Sequence, residues 1–143
     1  MSWILYAFLT VIFYSLFDLF VKLSSGKIHV FLGGFIVNLI ATLVLFIFLI
    51  ISKMNGEKIL EYKQDGMIYS ILGGVAVGLV TVFFYKMFAG GVNLSVGSPL
   101  VRIGVVALAG LLGIIALREA FNLRYILGLG LSFLGMFFLL TSR

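Results

Sequence analysis

Asp18 is the one acid inside a long apolar stretch of this 143-residue chain. A carboxylate in hydrocarbon costs about 2.5 kcal/mol or more on insertion scales, and such groups are usually functional or paired. Lys22 follows at the i, i+4 spacing at which an acid and a base meet on a helix, and its stem also lets it snorkel to an interface. Thr10, Tyr14 and Asp18 recur every fourth residue, within about 80° of helical arc, and form one polar stripe. Such a stripe faces protein or a water-filled cavity. Two chemistries fit it: a carboxylate that takes up a proton or a substrate, or an ion pair with Lys22 that ends the helix near its exit.

Arg102 is the cationic counterpart, about one turn inside the fourth apolar stretch with Ser98 one turn before it. A helix N-terminus favours negative charge, so Arg102 and Ser98 together suit an anionic group on a ligand. Against that reading, Arg102 could snorkel to headgroups or pair with Asp18 across helices. In the third stretch Gly74, Gly78, Thr81 and Tyr85 share a face; the glycines allow close helix approach, and the two hydroxyls gain nothing from lipid and are cavity candidates. Asn38 and Thr42 are the comparable polar pair of the second stretch. Gly128, Ser132 and Gly135 form a seam of small residues on the fifth, suited to a helix contact within the chain or between two chains.

These residues are carried by elements that composition makes unmistakable. Of all residues 63% are hydrophobic and 10% charged, with a mean hydropathy of +1.28. A soluble domain carries roughly 25% charged residues, so this chain reads as an all-α membrane protein. Apolar spans are expected at about 3–20, 30–51, 67–88, 98–117 and 123–140, five transmembrane helices with no room for a soluble domain. The first lacks a basic leader and a small-residue cleavage site, and reads as a retained span. A Gly-rich connection, 89–97, precedes the fourth, where Ser98 would cap the helix and Pro99 occupy its first position. The stretch 53–66 holds three of the five acids and three lysines, and reads as a solvated loop.

Several activities are excluded by what is missing. With no cysteine and the single histidine His29, the chain has no material for a disulfide framework, a zinc site or a nucleophilic triad. No GxxxxGK[ST] stretch suggests nucleotide use, and no cofactor or metal is expected. The ten cations are scattered singly and point to lipid headgroups, not nucleic acid. Sorted by side of the bilayer, Lys53, Lys58, Lys63, Arg118 and Arg124 face Lys22, Lys27, Lys86, Arg102 and Arg143, five against five. The positive-inside rule then selects no orientation, which suggests a chain that inserts both ways and pairs antiparallel with itself, unless a partner or the first helix sets its direction.

The run FYSLFDLFVK at 13–22, the following LSSGKIHVFLGG, then SVGSPLVRIG and the ending LLGIIALREAFNLRYILGLGLSFLGMFF resemble the drug/metabolite transporter superfamily, in its EamA-like single-repeat form. The resemblance covers essentially the whole chain, and its best motif is the turn Leu117, Arg118, Glu119 followed by Gly128 and Gly135. It implies one five-helix half of an inverted-repeat, ten-helix architecture, in which an odd helix number inverts the second half. A lone half would find its inverted partner in trans, as an antiparallel homodimer. In the related small multidrug resistance family a first-helix acid exchanges protons, which Asp18 resembles, and a last-helix glycine seam forms the dimer contact, which Gly128 and Gly135 resemble. Glu119 matches the family's acidic turn, where it reads as a helix terminator.

The expectation is therefore a secondary transporter, not an enzyme, moving a small metabolite or drug-like solute by alternating access in a prokaryotic inner membrane. Tyr14, Asp18, Asn38, Thr81, Tyr85 and Arg102 would line the cavity. Two alternatives stay open: a translocator of an anionic or lipid-linked metabolite, served by Lys22, Lys86 and Arg102, and a non-transporting helical subunit of a larger membrane complex.

Overall fold

The computed structural model describes residues 3–119 and 122–141. Within them five helices follow one another: α1 (Trp3–Ser24), α2 (Val30–Met54), α3 (Gln64–Ala89), α4 (Leu94–Ala116) and α5 (Leu123–Thr141). At 1.5 Å per residue the first four are roughly 33 to 39 Å long and α5 about 28 Å, enough to cross the hydrocarbon of a bilayer. All five are long and apolar enough to do so. Large apolar side chains stand exposed along every one of them, from Trp3 on α1 to Leu140 on α5. Exposure on that scale is stable only where lipid takes the place of water.

The chain divides into two compact units, residues 1–91 and 92–143. In the first, α1 and α2 each pack on α3. The buried side chains gather toward one end of this unit: Asp18 and Val21 of α1 with Thr81, Phe84, Tyr85 and Phe88 of α3. A tight α1–α2 turn closes that end, with the Lys27 N–H on the Ser24 carbonyl at 3.0 Å and Gly26 at φ +78°. That backbone conformation suits glycine, which has no Cβ to clash. At the opposite end α2 and α3 are joined through an exposed loop where Lys58 and Glu61 pair at 2.8 Å.

The helices run past the ends that hydropathy suggests. α1 continues to Ser24 and α2 to Met54, while α3 starts at Gln64 and takes Asp65 into its first turn. Lys22, Lys53 and Lys86 occupy the last turns of α1, α2 and α3, where a cation meets the negative pole of the helix. The polar loop is correspondingly shorter than 53–66. Hydropathy marks where lipid contact stops; backbone hydrogen bonding continues for another turn into the interface.

The second unit is a hairpin of α4 and α5. The expected start of α4 at Ser98 is corrected: the helix begins at Leu94, the extended Asn93 (ψ 147°) precedes it, and Pro99 lies inside. The Asn93 carbonyl accepts from the Val96 and Gly97 N–H groups at 3.1 and 2.9 Å, so the first turn forms before the proline. Pro99 then removes one bond, to the Ser95 carbonyl, a loss that membrane helices tolerate. The connection at 89–97 accordingly shrinks, and Gly97 is buried in the helix.

Arg118, at φ +55°, turns the chain out of α4, and the Glu119 N–H reaches back to the Gly113 carbonyl at 3.1 Å. Asn122 starts α5, its Oδ1 accepting the Arg124 N–H at 3.0 Å as an N-cap does. The Tyr125 hydroxyl ties the hairpin by donating to the Val106 carbonyl at 3.0 Å. Ala120 and Phe121, in the polar run between the helices, and Arg143, one of the ten cations, lie outside the described residues.

Candidate functional site

Because α1 and α2 both lean on α3, a groove is left between them with α3 as its floor. Its volume is about 490 Å³, within the range of small-molecule sites. Tyr6, Thr10, Tyr14 and Phe17 of α1, Asn38 and Ala41 of α2, and Val77 and Thr81 of α3 are among its lining. Three of the residues expected at a site, Tyr14, Asn38 and Thr81, thus come together from three helices. The groove is open on one side, since Phe13 and Tyr14 are 67% and 51% exposed.

Asp18 continues the Thr10 and Tyr14 stripe one turn further and is only 3% exposed. It belongs to the core of the closed end and not to the water interface. Tyr85 is equally buried; its hydroxyl accepts from Ser24 Oγ at 3.0 Å. Its ring lies so close to Gly33 of α2 that a Cβ there would stand 2.8 Å from it. One side chain thereby joins all three helices. A second, apolar hollow of about 800 Å³ runs along α1 and α2 past Phe20, Ile40 and Val44 to this Ser24–Tyr85 pair.

An aromatic series connects the groove to the closed end. Tyr14 meets Phe17 edge-on at 6.4 Å, Phe17 stacks on Phe84 at 5.9 Å, and Phe84 meets Phe88 edge-on at 4.8 Å. Lys22 Nζ lies 5.5 Å from the Phe88 ring centre and Lys86 Nζ 5.7 Å from that of Phe31, distances at which a ring face attracts a cation. The two lysines thus end their helices against aromatic rings.

The other expected residues are placed differently. Arg102 is half-buried on α4, in the second unit, with half-buried Ser98 one turn earlier. A Cβ on Gly74, Gly78, Gly128 or Gly135 would meet nothing within 4 Å in its own unit, and the Ser132 hydroxyl donates to the Gly128 carbonyl at 2.9 Å. Inside the units the close approaches are elsewhere, at Gly33 against Tyr85 and at Gly110 against Tyr125. Glu119 folds its carboxylate against Gly113 while its backbone closes α4. Ser24, Gly33 and the Phe17–Phe84–Phe88 series went unread in the sequence; the Gly33–Gly34 pair near the start of α2 was the available signal. Among the described residues no group of three histidine, cysteine or acidic side chains could hold a metal.

The sequence pattern of the EamA-like transporter family matches residues 1–141. The chain belongs to this family. With five helices fit to cross a membrane, it is a multi-pass integral membrane protein and a transporter of the drug/metabolite type, and those five helices fit one half-repeat of the family. The EamA family is a transporter family and not an enzyme family. No curated protein and no solved structure gives a significant match to the chain.

Proposed function

We propose that this EamA-family protein is a secondary transporter of a small metabolite or drug-like solute, that the α1–α2–α3 groove is its binding site, and that two inverted copies work by alternating access. The observation that carries the reading is the convergence of Tyr14, Asn38 and Thr81 from three helices on one 490 Å³ groove. Polar side chains on a lipid-facing surface gain nothing, whereas in a groove they orient a solute. Asp18 and Tyr85 hold the closed end that the groove leads to, while Arg102, on α4, belongs to the second unit. Residues 1–143 act as one repeat domain, in keeping with a family match that leaves out only the last two residues.

The antiparallel homodimer is supported by the five-to-five balance of cations and by α5, none of whose described residues is buried. Gly128, Ser132 and Gly135 would supply the contact, with Gly74 and Gly78 as a second packing face. Such a pair restores the inverted repeat around a midplane site. Placement in a prokaryotic inner membrane follows from the same reading. The apolar 800 Å³ hollow ending at Ser24 and Tyr85 favours a second reading, in which the solute carries a lipid chain.

The chain contains no cysteine, so one introduced thiol reports one place. Ala41→Cys in the groove should react with a membrane-impermeant thiol reagent from both faces of sealed vesicles. A thiol that reacts from neither face would overturn the groove as a solute path. Cross-linking through Ser132→Cys, with accessibility labelling of both termini, tests the dimer and its orientation; a single orientation without cross-linking removes the antiparallel pair.

A further inference from the structure

The hydrogen-bond state of the groove points to the class of solute it accepts. Thr10 donates its hydroxyl proton to the Tyr6 carbonyl at 2.7 Å and Thr81 donates to the Val77 carbonyl at 2.8 Å. Asn38 donates an amide proton to the Gly34 carbonyl at 2.8 Å. A helix carbonyl one turn back captures these protons because hydrocarbon offers no water to compete for them. A hydroxyl that has donated its proton still accepts through its lone pairs, and an amide keeps its carbonyl oxygen. The groove therefore offers acceptors, Thr10 Oγ1, Thr81 Oγ1 and Asn38 Oδ1, supplied by all three helices.

The rest of its wall sharpens the selection. Tyr6, Phe13, Tyr14 and Phe17 are aromatic, and no lysine, arginine or histidine is among the described residues that line the groove. Lys22 is two turns past Tyr14 and lies over Phe88. An anion entering here would lose its water and find no cationic side chain in the described lining to balance its charge, only the neutral O–H and N–H groups of Tyr6, Tyr14 and Asn38 beside oxygen acceptors and ring faces. A protonated amine meets the reverse: its N–H groups find the acceptors, and the rings attract its charge.

We infer that the groove selects small solutes that pair an aromatic or aliphatic body with a hydrogen-bond-donating amine, and that it rejects carboxylates and phosphates. This rests on the groove being the solute path. It separates the groove from the anionic-metabolite reading, because the cations that reading needs are not among its lining residues.

The test uses the Ala41→Cys protein in vesicles and reads how far a probe slows alkylation of the thiol. Phenylethylamine should protect it. 3-Phenylpropanoate, of the same bulk but anionic, should protect at least about tenfold more weakly. Propylbenzene, which donates nothing, sets the apolar baseline. Thr81→Val and, on the more open flank, Thr10→Val should each weaken amine protection by about fivefold, the loss of one hydrogen bond, and leave propylbenzene unchanged. Thr10→Val spares the buried core should Thr81→Val not fold. Equal or better protection by the carboxylate, or amine protection that survives both valine variants, overturns the assignment. A thiol labelled from both faces that no amine protects also overturns it while the solute path stands; a thiol labelled from neither face refutes the path itself.

Discussion

The closed end of the three-helix unit and the α4–α5 hairpin hold together by different physics. The first buries aromatic rings: Phe84, Tyr85 and Phe88 are between 2% and 6% exposed, and ring stacking joins α1 to α3. Among its described residues the second buries only glycines, Gly97 and Gly113, and it joins its helices through the Tyr125 hydroxyl on a backbone carbonyl and the room Gly110 leaves for that ring. Lipid is as apolar as leucine, so helices in a bilayer associate by packing and hydrogen bonds and not by escape from water. The aromatic end gains much from packing, the hairpin little.

That contrast can be broken by substitution, and the largest effect belongs to the aromatic end. Phe88→Ala should cost about 3 kcal/mol by leaving a cavity between rings, read as a lowered unfolding midpoint in detergent. Gly33→Val should follow at about 2 kcal/mol, since its Cβ would press on the Tyr85 ring and the overpacked helices must shift. Tyr125→Phe removes one hydrogen bond from the hairpin and should cost about 1 kcal/mol. If Tyr125→Phe proved as damaging as Phe88→Ala, the two regions would not differ as described. Lys58→Ala in the α2–α3 loop breaks a pair whose side chains are 77% and 70% exposed; the same unfolding measurement should move by no more than about 0.5 kcal/mol.

Much of this was legible from local pattern. Thr10, Tyr14 and Asp18 at fourfold spacing announced a polar stripe, and the stripe does run along the groove into the core. Thr81 and Tyr85 were readable for the same reason, as hydroxyls on a helix whose other faces suit lipid. Helix ends were less legible: Pro99 looked like a first position because proline has no N–H, yet Asn93 starts the helix a turn earlier. The Gly33–Gly34 pair was a signal, but Gly73–Gly74 is the same signal on α3, and nothing local told the two apart. Which glycine admits a ring depends on the partner helix and its register, and neither is a property of its own segment.

The linear chain by itself determined the solvent, the number of helices and the faces that could be polar, since hydropathy and a 3.6-residue period act over a single turn or span. Tertiary structure alone decided that α1 and α2 both rest on α3, that Tyr85 joins three helices at once, and that Tyr14, Asn38 and Thr81 share a groove while the Thr81 hydroxyl proton and one Asn38 amide proton point home to their own backbones. Those outcomes depend on contacts between segments far apart in the chain. A single helix cannot encode them, because packing is a property of pairs.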